Sequence, residues 1–169
     1  LFMLRESLLF IKAVDTIDDY VDSGKNPNIR QNRAETSLLL LESGILPPEL
    51  EKHQTDLDSF RQIYCRLDGA LKNQFDRILT ALFAVTEKLR SVSDPAEYAQ
   101  LAKAEANITA TLMYIFLSKS GRLGTPTHLL LQTVGRLINQ CDNAADLPKD
   151  YREGVTQVPP TFINALIIL

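Results

Sequence analysis

The sequence lacks most of the features by which a short chain declares its function. It has no basic excess: 18 Lys and Arg stand against 21 Asp and Glu, a net charge of −3, so it carries no electrostatic footprint for nucleic acid or for anionic lipid. Its two cysteines, Cys65 and Cys141, are far apart and in no CxxC or His/Cys ligand spacing. That excludes a zinc module and fits reduced, structural thiols in a cytoplasmic compartment. Apolar runs such as Leu38 to Leu41 fall far short of the ~20 residues that span a bilayer. The stretch Ser118 to Pro126 has too few glycines for a phosphate loop, and His53 and His128 stand apart from any nucleophile or ligand partner. Repeats, low-complexity tracts and strand-like alternation are also missing.

What remains is helical periodicity, and the chain reads as all-α. At 169 residues it is long enough for one domain that buries roughly two-thirds of its unfolded surface. Phe10, Val14, Ile17 and Val21 form one apolar stripe on a first helix spanning about Leu1 to Ser23, ended by Gly24 and Pro27. A second helix fits about Arg30 to Glu42. A third helical region, Glu49 to Arg90, has a break near Leu67 to Gly69. Ser93 is the candidate N-cap of a helix that starts at Pro95 and runs to about Ser118. After the separator Ser120 to Thr127, a last long helix covers about Pro126 to Ala145. Both ends, Leu1 to Phe10 and Phe162 to Leu169, are apolar where termini are usually polar. This predicts a piece of a longer chain, with both segments covered by the bundle or by a partner chain. A signal peptide fits poorly, because Arg5 and Glu6 interrupt the apolar stretch.

Acidic residues supply the pattern. Asp15, Asp18, Asp19 and Asp22 share one face of the first helix, since i, i+3, i+4 and i+7 are neighbours. The same face carries Leu4, Leu8 and Ile11 toward the N-terminus. In the last helix the line through Asp142 and Asp146 runs back through Asn139, Gly135 and Leu131. Each helix thus offers an apolar wall that ends in carboxylates. Carboxylates near a helix C-terminus are disfavoured by the dipole and by one another, so something positive is expected there, and a hard divalent cation suits such oxygen donors. Either cluster alone reads as a solvated helix end. Two with matched apolar extensions point to a shared ligand with a diphosphate head and an apolar tail.

These residues resemble the squalene/phytoene synthase family of class I prenyl-diphosphate enzymes. Asp18 to Asp22, "DDYVD", is similar to the family's first aspartate-rich motif, DDxVD. Gly135, Asn139, Asp142, Asp146 and Asp150 stand at the spacing of the second, with Asn139 in the place of the usual Gln and Asp142 in that of the usual Asn. "DPAEYAQLAKAEANITATL" resembles the intervening Tyr-containing helix, with Ala106 and Ala110 at small positions, and Arg152 and Pro159 resemble the Arg-rich stretch after the second motif. Pro148, between Asp146 and Asp150, departs from the pattern. An interior proline costs about 3 kcal/mol, so the helix is expected to end or kink there. Asn107 replaces a glycine, and Glu105 interrupts the apolar line of Leu101, Ile108 and Leu112, as a solvent edge or as a projection into the cleft.

The resemblance implies an isoprenoid-synthase-type helical bundle, lacking the family's terminal helices. It also implies a Mg²⁺-dependent synthase or transferase that joins two prenyl diphosphates (farnesyl or geranylgeranyl diphosphate) head to head, through a cyclopropyl intermediate and with release of diphosphate. Mg²⁺ would be held by Asp18, Asp19, Asp22, Asp142 and Asp146, with Asp150 as a further ligand. Asp15, Asn139, Arg152, Lys25 and Arg30 would contact substrate, with Arg33 near the first cluster. A non-catalytic prenyl-diphosphate-binding relative and a helical interaction module remain open, as do contact with a membrane surface and pairing as a homodimer.

Overall fold

The computed structural model describes the backbone of residues 2–118 and 125–169 and the side chains of residues 5–118 and 126–169. The described residues form seven α-helices and one 3-10 helix, with no strand, so the all-α expectation holds. In chain order they are α1 (Phe2–Asp22), α2 (Pro27–Ser43), the 3-10 turn Pro48–His53, α3 (Gln54–Tyr64), α4 (Gly69–Leu89), α5 (Pro95–Ser118), α6 (Thr125–Glu153) and α7 (Phe162–Ile168). None of them is long and apolar enough to cross a membrane. Where the sequence suggests one domain, the chain divides into two compact units, residues 1–80 with 113–123 and residues 81–112 with 124–169.

Local chemistry sets the helix ends. Asn26 caps α2 by accepting from the Ile29 N–H at 3.0 Å, with Pro27 pre-set at the first helical position. The helix therefore starts three residues earlier than its apolar periodicity suggests. Gly44 closes it at φ 77, its N–H on the Leu40 carbonyl, a left-handed conformation in which any other residue would be strained. The break expected at Leu67 to Gly69 is present, and the Asp68 carboxylate accepts from Ala70 and Leu71 N–H to start α4. At α5 the cap is Asp94, which accepts from the Ala96 N–H at 3.0 Å, and not Ser93. A proline at the first helical position makes the residue immediately before it the cap. The separator Ser120 to Thr127 falls largely on residues 119–124, outside the described residues.

In the first unit the predicted α1 stripe is the core face: Phe10, Ile17 and Val21 are buried and Val14 is half-buried. Phe60 stacks on Phe116 at 4.8 Å between centroids, Phe10 packs on both, and Phe75 joins Phe60 to Tyr64. The buried Tyr64 hydroxyl donates to Asp76 at 2.7 Å. Burial and that carboxylate raise its pKa well above the usual tyrosine value.

The second unit is built on Leu89, Val92, Tyr98, Ala102, Leu147, Val158 and Ile168. The C-terminal apolar segment, expected to be covered by the bundle or by a partner chain, is covered by the bundle only in part. Thr161 caps α7 and Ile168 is fully buried, yet Phe162, Ile163, Leu166, Ile167 and Leu169 are exposed. A seven-residue helix can turn only one face to the bundle. Of the N-terminal segment, Leu1 to Phe10, the side chains of residues 1–4 lie outside the described residues, and among the rest Phe10 is buried and Leu8 exposed. The two cysteines are free, as expected, but both are exposed and neither belongs to the core.

Replacing Phe60 by Ala removes the ring that three aromatic neighbours share. The loss expected is about 3–5 kcal/mol, read as a lower denaturation midpoint in urea. A loss below 1 kcal/mol would show that the aromatic cluster does not anchor this unit.

Candidate functional site

The first acid cluster occupies the last two turns of α1. Asp15 and Asp19 are exposed, and Asp18 and Asp22 are half-buried. They continue the line of the exposed Leu8 and Ile11, so the pairing of an oily wall with an acidic end is present on this helix. The positive charge expected at the helix end comes first from the protein itself. The Arg33 guanidinium donates to the Tyr20 carbonyl at 2.8 Å and to the Ser23 hydroxyl, and lies 4.7 Å over the Tyr20 ring. Arg30 donates to the Gly24 carbonyl at 3.1 Å. Arg33 thus caps α1, meeting the partial negative charge of a terminal carbonyl, while Arg30 holds the turn that follows. Arg30, expected at substrate, is engaged in this way on backbone, while Lys25 lies exposed in the intervening turn.

The second cluster lies on α6, and the expected stop at Pro148 is corrected: the helix runs through it to Glu153. Leu147 is buried against the core of this unit and holds the chain in place across the proline, and in the last turn the Arg152 Nε donates to the Pro148 carbonyl, 3.1 Å away. Asp142, Asp146 and Asp150 therefore sit at i, i+4 and i+8 of one helix. Since dipole effects fade within the last turn, only Asp150 feels the helix end. The dipole argument made from sequence does not apply to Asp142 and Asp146, both of which are exposed. Asp150 is half-buried, and its pKa is raised by burial first and then by Asp146 and Glu153, against the lowering influence of Lys149 and Arg90.

Gly135 marks the close approach of α6 to α5. A Cβ there would lie 3.6 Å from Ala110 Cβ and 3.7 Å from the Ala106 carbonyl oxygen. That is ordinary contact, so the packing requires a small residue rather than glycine itself. One turn on, the helices are joined by a polar chain. Thr86 Oγ1 donates to Glu105 Oε1 at 3.0 Å, Asn139 Nδ2 to Glu105 Oε2 at 3.1 Å, Asn143 Nδ2 to Asn139 Oδ1 at 2.8 Å, and the Tyr98 hydroxyl to Asn143 Oδ1 at 2.9 Å. Glu105 is neither a solvent edge nor a lone projection. It is a half-buried acceptor that ties α4, α5 and α6 together. Asn139, expected to face substrate, spends its amide nitrogen and oxygen inside this chain. Thr86, Tyr98 and Asn143 are the members that sequence reasoning missed, and the available signal was three polar residues, Glu105, Asn139 and Asn143, on otherwise apolar or small-residue helix faces.

Among the described residues no three His, Cys, Asp or Glu side chains are gathered as a protein-only metal site would need. Mg²⁺ commonly takes only one or two carboxylates and completes its octahedron with waters and phosphate oxygens. Pairs one turn apart, Asp18 with Asp22 and Asp142 with Asp146, are suitable donor sets of that kind. No family model, curated protein or solved structure matches the chain.

Two outcomes follow from this geometry. Arg33→Ala removes a charged donor and a stacking contact and should cost about 2 kcal/mol in urea unfolding. Arg33→Lys, which keeps the charge and can still donate, should recover part of that loss, and an unchanged stability in Arg33→Ala would contradict the capping role. For Asp150 the raised pKa means that the protonated form favours the fold, so stability from this group is present below the ordinary carboxylate range and is lost as pH rises through the raised value. Asp150→Asn should therefore raise the melting temperature at pH 7, with the gain vanishing below about pH 4. A gain independent of pH would remove the carboxylate from the explanation.

Proposed function

We propose that the chain is a Mg²⁺-dependent prenyl-diphosphate enzyme of squalene/phytoene synthase type, with the helical bundle of that class, joining two prenyl diphosphates and releasing diphosphate. The observation that carries this reading is the placement of both acid motifs on helices with their spacing intact. Asp18, Asp19 and Asp22 follow the exposed apolar Leu8 and Ile11, and Asp142, Asp146 and Asp150 lie on one helix that does not stop at Pro148.

The carboxylates of Asp18, Asp22, Asp142 and Asp146 would hold Mg²⁺, with Asp19 and Asp150 beside them. Bound there, the cation would act as a Lewis acid on the diphosphate and neutralise charge on the departing group. Lys25, exposed next to the first motif, is free of backbone duties and can meet a diphosphate oxygen electrostatically. Leu8 and Ile11 offer apolar surface to the tail, whose burial also keeps water from a cationic carbon. An apolar substrate of this kind is consistent with a cytoplasmic protein working at a membrane surface.

A second reading, binding without turnover, is favoured by Asn139. Its amide is consumed by Glu105 and Asn143, where a free side chain would be needed to reach substrate. Release of diphosphate from farnesyl or geranylgeranyl diphosphate with Mg²⁺ decides for the enzyme, and saturable binding without release decides for the relative. Neither would leave a helical interaction module. Thermal unfolding provides a test independent of turnover. With Mg²⁺ and pyrophosphate at ~100 times the dissociation constant, the unmodified chain should gain roughly 2.7 kcal/mol, and Asp18→Asn and Asp146→Asn much less. Equal gains in all three proteins, or no gain in any, would sink the metal–diphosphate assignment.

A further inference from the structure

We propose that the outward faces of α6 and α7 form a docking surface for a second copy of this chain. The proposal is independent of the prenyl-diphosphate reading. On α6, Leu130, Val134, Leu137 and Ile138 fall at i, i+4, i+7 and i+8, one helix face, and are 44–65% exposed. This face lies opposite the one on which Gly135 and Asn139 meet α5. Along α7, Phe162, Ile163, Leu166 and Ile167 are 44–79% exposed. The two faces adjoin, because α7 is seated on the flank of α6. The Gln140 amide donates to the Ile168 carbonyl at 3.4 Å, and Ala144, two turns beyond Leu137 on the same line, packs against the cluster that holds Ile168.

Area and charge identify the occupant. Eight apolar side chains, each about half exposed or more, present on the order of 800 Å². That is above the ~300–600 Å² of the largest patch on a typical monomer and close to the ~800 Å² that each partner contributes to a stable interface. The surface is also self-compatible. No charged side chain occurs from Gly154 to Leu169, and the one charged residue between Leu129 and Ile138, Arg136, turns to the Gln132 carbonyl. A two-fold axis through this surface would therefore set no like charges against one another. A bilayer is a poorer match, because surface-bound helices usually carry a row of basic residues, whereas this face has Arg136 alone and the stretch of α6 beyond it mixes Asp142, Asp146, Asp150 and Glu153 with Lys149 and Arg152.

Sedimentation velocity of the full chain across micromolar concentrations tests the proposal. The expected result is a reversible monomer–dimer equilibrium, weakened at least tenfold by Leu137→Glu and, separately, by Phe162→Glu, and unchanged by Leu39→Glu on α2, which is equally exposed. All three positions are on the surface, so unchanged far-UV circular dichroism is expected and separates lost association from lost folding. Three results would overturn the proposal: a monomer at every concentration, a dimer indifferent to both α6 and α7 substitutions, or a monomer that floats with phosphatidylcholine vesicles through Leu137 and Phe162.

Discussion

A carboxylate placed where a helix already presents negative charge has to be offset by something positive, and this constraint organises the first unit. Four aspartates crowd the last two turns of α1, and α2 answers with two arginines, Arg33 at the Tyr20 carbonyl and Arg30 at the Gly24 carbonyl. The same contacts fix the turn between the helices, since Arg33 also covers Tyr20 and Arg30 closes on Gly24. Arg33 bonds the Tyr20 carbonyl and also meets Glu49 at 3.6 Å, while Arg30 bonds the Gly24 carbonyl, so the two guanidinium groups tie the end of α1 to the turn that follows it.

In the second unit the controlling interaction is different. Asp142 and Asp146 lie too far from the end of α6 to feel its dipole, and α6 is instead held to α5 by small-residue contact at Gly135 and by the polar chain from Thr86 through Glu105, Asn139 and Asn143 to Tyr98. A half-buried carboxylate with two donors is specific as well as stabilising, because shifting α6 by one residue would leave Glu105 without its Asn139 donor. The same chain restrains chemistry: an asparagine whose amide is occupied in the ground state is not available to substrate unless the network opens.

Much of the architecture was legible in the sequence. The stripe Phe10, Ile17 and Val21, the break before Gly69 and the spacing of both acid clusters are local patterns, and helix periodicity depends on local patterns. What was not legible depends on partners distant in sequence. Pro148 reads as a helix breaker until Leu147 is seen anchored in the core. Arg30 reads as a substrate contact until its acceptor, a backbone oxygen of the preceding turn, is known. Asn139 and Glu105, 34 positions apart, cannot be paired from composition. The exposed face of α7 was hidden by a general rule, that apolar ends are covered, which does not say by what.

The central proposal is that the acid clusters of α1 and α6 bind Mg²⁺ and diphosphate, and a double-mutant cycle tests whether they act on one ligand or on two. Titration calorimetry of pyrophosphate in saturating Mg²⁺ would be carried out on the unmodified chain, Asp18→Asn, Asp146→Asn and the double variant. If both carboxylates act on one ligand, each single change should remove most of the affinity, and the double change should cost far less than the sum of the two. Additive losses, or affinity unchanged by either substitution, would show two independent acidic surfaces and contradict the account.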